Sequence, residues 1–321
     1  MHHVQRIAVL LAGLALAAAA HAQQYPSKPI RMINPWTPAG PAELLARWIG
    51  DKVAESLGQP VIIESRPGAN GTIGAGFVAK SPPDGYTLLF SHVGPIAISP
   101  AMGVKMPYDS LKDLDPITQV VSGPTLLVVR NDLPIRNVKE LIDWSRANPD
   151  KASYGSVGPG STTHLAGEMI TMSTGVPLLH VPYKGSAPVV TDLLGNTLAF
   201  AFINVAGVLP QVQSGRLRAI AVSTAQRSSL LPELPTVAET IPGFEVNSWY
   251  GIMAPHGTPR PIIDLWHREV AKALKSPDVI EKLKQNGLDP RGTTPAEHTA
   301  HIRDELDRWA KVVKAAKVTA Q

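Results

Sequence analysis

Residues Ser156-Val157-Gly158-Pro159-Gly160-Ser161-Thr162-Thr163-His164 gather two glycines, four hydroxyls and a histidine in one short stretch. They leave a strand-like run, Ala152 to Tyr154, and enter the helical pattern Leu165-Ala166-Gly167-Glu168-Met169. A strand-to-helix junction of this kind brings unpaired backbone N–H groups and hydroxyls together at the positive end of a helix dipole, where anions bind. No nucleophile in the stretch has a base beside it, so the chemistry it suggests is capture of a carboxylate without reaction. The blander alternative is a helix start capped for its own sake, with His164 hydrogen-bonded locally.

The remaining reactive residues assemble no catalytic set. Cysteine is absent, which removes both thiol chemistry and disulfides. No Gly-x-Ser-x-Gly elbow occurs, and no serine, histidine and acid can be grouped into a hydrolytic triad from the loops. His298 and His301 lie three apart on the last helix with Glu305 a turn further on, but that face reads as the exposed side of a charged helix, a poor place for a metal. A binding protein with no cofactor or metal is therefore expected, not an enzyme.

Export is written at the N-terminus. Arg6 precedes the uncharged run Ile7 to Ala20, and Ala20-His21-Ala22 fits the small-x-small pattern of a cleavage site. Residues 1–22 are read as a signal peptide cut near Ala22, and a freely diffusing periplasmic protein is expected. No later stretch approaches about 20 apolar residues. The formal net charge is +4, to which Arg6 contributes. The basic residues are scattered and not interleaved with aromatics, so nucleic acid and membrane surfaces are not implied.

The elements that must position the anion cradle follow an α/β alternation. Strands are expected at Ile30–Asn34, Val61–Glu64, Thr87–Ser91, Leu126–Arg130, Leu179–Val181, Ala199–Ile203 and Ala219–Ser223. Helices are expected at Ala42–Leu57, with Leu44, Leu45, Trp48, Ile49 and Val53 on one side, at Val138–Ala147, and at Arg260–Leu274 after a Thr258-Pro259 start. Thr294, Pro295 and Glu297 form a capping box for the last helix, whose buried stripe is Ile302, Leu306, Trp309 and Val313. Two extended stretches, Pro116–Val121 and Phe244–Ala254, are read as paired crossovers between lobes. On that reading residues 23–121 and 247–321 form one lobe and residues 122–246 the other, a hinged trap with its cleft between them. Ligands in such lobes sit at strand carboxyl ends. The loop Trp36-Thr37-Pro38-Ala39-Gly40 after the first strand then faces Ser156–His164.

Four further motifs carry a resemblance: Tyr25-Pro26-Ser27-Lys28-Pro29-Ile30-Arg31, Glu64-Ser65-Arg66-Pro67-Gly68-Ala69-Asn70-Gly71, Pro83-Asp84-Gly85-Tyr86-Thr87-Leu88-Leu89 and His180-Val181-Pro182-Tyr183-Lys184-Gly185-Ser186. In this order, over nearly the whole mature chain, they resemble the Bug-type receptors of tripartite tricarboxylate transporters. The resemblance implies a monomeric two-lobe periplasmic receptor, a small organic carboxylate ligand and two membrane subunits as partners. A sensory module using the same site is the alternative. It also implies ligand contacts at Trp36–Gly40 and Ser156–His164, to which the helix start Gly185-Ser186, the strand ends Ser91-His92 and Asn204 are added as candidates. Tyr183-Lys184 reads either as an attraction for a carboxylate or as a solvated loop, with Gly185-Ser186 the better contact, and Arg66 with its Pro-Gly turn reads as structural. The chain departs from the family where many members carry Asp-Asn and it has Ile203-Asn204. An acid there would suit an ammonium group, so amino acids are disfavoured against apolar, aromatic or dicarboxylate ligands. Trp36 reads as a stacking face for such a ligand, with core packing as the competing role.

Overall fold

The computed structural model describes residues 25–103 and 105–316. The segment read as a signal peptide lies outside the described residues. Among the described residues ten strands form the sheet: β1 (Ile30–Asn34), β2 (Val61–Ser65), β3 (Thr87–His92), β4 (Leu114–Arg130), β5 (Ser153–Ser156), β6 (Leu179–Pro182), β7 (Phe200–Asn204), β8 (Leu217–Val222), β9 (Asn247–Pro255) and β10 (Asp289–Pro290). Their order is β2-β1-β3-β9-β4-β7-β5-β6, with β8 and β10 also paired to β4. The longer helices are α1 (Pro41–Leu57), α2 (Thr72–Ala79), α3 (Val138–Ala147), α4 (Thr162–Thr174), α5 (Ser186–Leu194), α6 (Val205–Gln213), α7 (Arg260–Ala273), α8 (Pro277–Gln285) and α9 (Pro295–Ala316).

β1 pairs in parallel with β2 and β3, and β5 pairs in parallel with β6 and β7. Between these groups run β4 and β9, antiparallel to each other from Leu114 opposite Pro255 to Pro124 opposite Asn247. Beyond Pro124, β4 changes partners and pairs with β7 and β8. The two segments expected separately, Pro116–Val121 and Leu126–Arg130, are thus one 17-residue strand. Gly123-Pro124 reads as a break because proline cannot donate to a ladder. Here it stands where pairing with β9 ends and pairing with β7 begins, so the missing donor is tolerated.

Side chains alternate across the strands, and helices cover both faces. Leu88, Phe90, Leu126 and Val128 belong to one buried cluster, while Leu89, Leu127 and Val129 belong to the other. In α1 the buried face is Ala42, Leu45, Ala46, Ile49 and Val53, and Leu44, expected on that side, is 46 % exposed. The α7 start also differs from expectation. Thr258 spends its hydroxyl on Pro255 O at 2.7 Å, and Pro259 holds the cap position without a side-chain bond. The capping box of α9 forms as read: Glu297 N donates to Thr294 Oγ1 at 3.2 Å, and Thr294 N to Glu297 Oε2 at 2.8 Å.

The histidine face of α9 is buried, not exposed as expected. His298 and Glu305 are enclosed against β9, where Trp249 Nε1 and Trp309 Nε1 both donate to Glu305 Oε2, at 3.2 and 3.0 Å. Glu305 therefore anchors two indoles. Among the described residues no group of three or more histidines and acids is placed to hold a metal, and no helix is long and apolar enough to cross a membrane.

Candidate cleft between helix starts

The loop after β1 is built by its own side chains. Asn34 accepts from Trp36 N at 3.3 Å and donates to Trp36 O and Ser65 Oγ, folding the chain back. Ala39 adopts a left-handed φ of 61°, and its N–H is taken by Glu43 Oε2 at 2.7 Å. That backbone bond, seconded by Arg47, holds the Glu43 carboxyl below its ordinary pKa. Gly40 then caps α1 with no side chain, followed by Pro41, leaving the helix start open toward the cleft.

The loop after β5 is built differently from the sequence reading. Ser161 caps α4 by accepting from His164 N at 3.2 Å and donates to Gly158 O at 2.7 Å. Thr163 Oγ1 accepts from Val157 N, and His164 Nδ1 accepts from Gly160 N. Ser156 Oγ accepts from Gly158 N and bonds His180 Nε2 at 2.6 Å. The Thr162 hydroxyl is buried with no partner in the protein. The hydroxyls of Ser156, Ser161 and Thr163 satisfy the loop's own backbone, as a buried glycine-rich turn requires. What the loop presents outward is Val157, Gly158 and Pro159.

Two connected spaces lie beside these loops, sharing Trp36, Thr37 and Val157 in their walls. The inner recess holds about 50 Å³. It is bounded by the starts of α1 (Gly40, Pro41, Ala42) and α5 (Gly185, Ser186), by Asn204 at the start of α6, and by His92 and Tyr250. The outer chamber holds about 570 Å³, with Pro67, Gly68, Ala69, Asn70 and Gly71 on one side, Gly158, Pro159, Tyr183 and Lys184 on another, and Ser99 and Met102 also in its walls. Among the described residues no aspartate or glutamate lines either space, and Lys184 is the one charged side chain of the outer wall.

His92 and Tyr250 form the floor of the recess. The Trp36 ring meets His92 edge-on at 5.3 Å, His92 meets Tyr250 at 4.8 Å, and Phe90 stacks behind Tyr250 at 5.6 Å. His92 Nδ1 accepts from Gly94 N at 3.1 Å, so the neutral ring carries its proton on Nε2, 2.9 Å from Ser248 Oγ. Burial pushes its pKa down to about 3 and keeps it neutral. Burial also raises the Tyr250 phenol to about 12. Trp36 Nε1 and Asn204 Oδ1 are buried without a hydrogen-bond partner among the described residues.

Of the residues singled out from sequence, Trp36, Thr37, Gly40, His92, Gly158, Gly185, Ser186 and Asn204 line these spaces. Pro38, Ala39, Ser91, Ser156, Gly160, Ser161, Thr162, Thr163 and His164 do not. Ser91 alternates away from His92 along β3 and is fully buried. Ile203 is likewise fully buried in the core and reaches neither space, so any discrimination at this strand end passes through Asn204. Tyr250 and the Gly68–Gly71 turn were not anticipated as site residues. Their signals were the alternation of Tyr250 with buried Trp249, and the density of glycines in a motif set aside as structural.

Parallel βα units joined by two antiparallel strands, with helix starts converging on one cleft, are the architecture of periplasmic binding proteins. Residues 45–318 match the profile of the tripartite tricarboxylate transporter family receptor, and the chain belongs to that family of solute receptors. It is 38 % identical over 310 residues to protein BugT of Bordetella pertussis, covering 96 % of this chain and 95 % of that one. Among solved structures, R. palustris Rpa4515 with adipate matches at 36 % identity and a TM-score of 0.88, covering 92 % of this chain and 99 % of that one. MatC of Rhodopseudomonas palustris with bound malate matches at 29 % identity and a TM-score of 0.84, covering 90 % and 100 %.

Proposed function

We propose that the protein is an extracytoplasmic receptor that captures an organic carboxylate with an extended or ring-bearing body and hands it to two membrane subunits of a tripartite transporter. The observation that carries this reading is the recess at the starts of α1, α5 and α6, with no acid in its walls, opening into a chamber about ten times larger. Helix starts supply N–H groups and a favourable dipole to one carboxylate. The recess has room for a single carboxylate head, and the chamber, within the usual range for small-molecule pockets, takes the body. Adipate and malate in two relatives support the carboxylate class. The largely apolar walls and the Trp36 ring favour acids with an apolar or ring-bearing body, six-carbon diacids and aromatic acids among them, with Lys184 available to a second carboxylate.

On this reading β4 and β9 are the hinge, residues 23–121 with 247–321 form one lobe, and residues 122–246 form the other. The exported chain, cut near Ala22, works as a monomer in the periplasm.

Thermal unfolding of the mature protein against a carboxylate panel tests the proposal. At a hundredfold excess over Kd, a ligand specific for the folded state adds about 2.7 kcal/mol, or about 4–5 °C for a chain of this size. Adipate and benzoate-type acids are expected to shift the midpoint more than malate, and prolonged incubation to yield no product. A panel in which amino acids or sugars stabilise and no carboxylate does overturns the assignment.

A further inference from the structure

We propose that Asn70 is a closure latch: a positioning residue whose carboxamide ties the turn after β2 to the turn after β5 across the cleft and so sets how long a captured ligand stays. This rests on the two-lobe reading above, under which residues 70 and 160 belong to different lobes. Asn70 Nδ2 donates to Gly160 O at 2.7 Å and to Ser99 Oγ at 3.1 Å, so both amide hydrogens are engaged. A backbone carbonyl only accepts, which fixes the amide nitrogen toward Gly160.

The surroundings on both sides are cut to this bond. At Gly94, a Cβ would stand 3.0 Å from Asn70 Oδ1, so the glycine leaves room for the amide. Gly160 has φ +72°, and a Cβ there would fall 2.5 Å from Met102 Sδ. The Gly160 N–H, on the peptide preceding the accepting carbonyl, is held by His164 Nδ1 at 3.1 Å. Asn70 itself sits at φ 52° after Ala69 at φ 46°, two successive left-handed residues without the freedom of glycine. Such a conformation is unfavourable and persists where the surroundings enforce it. Its product is a carboxamide held across the cleft, beside the chamber that Gly68, Ala69 and Gly71 help to wall.

Apparent affinity scales with the closed fraction, and loss of one hydrogen bond of this kind lowers closure about three- to tenfold. Two substitutions separate latch from turn. Asn70→Gly keeps the left-handed turn and removes the carboxamide. Asn70→Asp keeps size and turn tolerance but sets a carboxylate oxygen against the Gly160 carbonyl. Because the chain has no cysteine, Lys80→Cys and Ser173→Cys, both at exposed positions, give a clean spin-label pair in the full mature chain. Distance distributions are compared with and without saturating adipate. The expected result is a ratio of short- to long-distance populations that falls about three- to tenfold from the parent in Asn70→Gly and further in Asn70→Asp, with a rise in the adipate dissociation rate. Identical distributions and rates in all three proteins overturn the latch while leaving the hinge intact. One unchanging distance in the parent, free and with adipate, overturns the hinged reading and the latch with it.

Discussion

Trp36 is the largest of the three side chains, with Thr37 and Val157, that the recess and the chamber share, which makes its replacement the most discriminating perturbation of the proposed site. Its two contributions are separable. The buried Nε1–H has no partner among the described residues, and a hydrogen bond from it to a carboxylate in the ligand-bound state would be worth about 1.5 kcal/mol or more. Trp36→Phe removes that donor and keeps a flat face, so binding should weaken by about tenfold. Trp36→Ala also removes the face, adding about 1–2 kcal/mol from lost aromatic contact and area. Because the indole divides the two spaces, Trp36→Ala also merges them, and a bulky aromatic acid should lose less than a slender diacid. Titration calorimetry of parent and variants with adipate and benzoate reads both effects, and the unfolding midpoints establish that the fold is kept. Unchanged affinity in Trp36→Ala for the tightest ligand would refute the reasoning and move specificity to the Gly68–Gly71 or Val157–Pro159 walls.

Acid should destabilise the fold well above the range where carboxylates titrate. His92 and His298 are both pushed by burial to a pKa of about 3, below the ordinary value, so the unfolded chain takes up protons first. The stability tied to their neutral burial is complete above about pH 6.5 and declines toward pH 3, about 2 kcal/mol per histidine by pH 5; a urea midpoint equal at pH 7.5 and pH 5 contradicts this. Asn204→Asp places a negative charge in the recess and should cut carboxylate affinity at least tenfold, whereas unchanged calorimetric affinity would place the head elsewhere. Glu43→Ala strips the acceptor from Ala39 N–H and should cost about 1–2 kcal/mol of stability, measured by denaturant titration, with a Glu43→Ala midpoint matching the parent counting against its role as the loop's clamp.

The strand-to-loop-to-helix junctions were legible because each is written within about ten residues. β1 is found where the Ile30–Asn34 run placed it, α3 spans Val138–Ala147 as its periodicity requires, and the Thr294–Glu297 box caps α9. The same local grammar misplaced individual side chains. Leu44 fits a helical stripe yet faces solvent, and Gly123-Pro124 looks like a strand break inside a continuous strand.

By itself the sequence determined the α/β order, the absence of thiol chemistry, and which loops end at helix starts, since all three follow from composition or neighbouring residues. Only the tertiary structure decided what those loops offer. The hydroxyls of Ser156–His164 turn inward because a buried glycine-rich backbone must find acceptors and donors nearby, and no residue count reveals which claim prevails. Tyr250 and Asn70 reach the cleft from positions far along the chain, 158 residues beyond His92 and 90 before Gly160. Tyr250 is set opposite His92 by the pairing of β3 with β9, and Asn70 meets Gly160 through the packing of two loops distant in sequence, interactions that leave no local pattern to read.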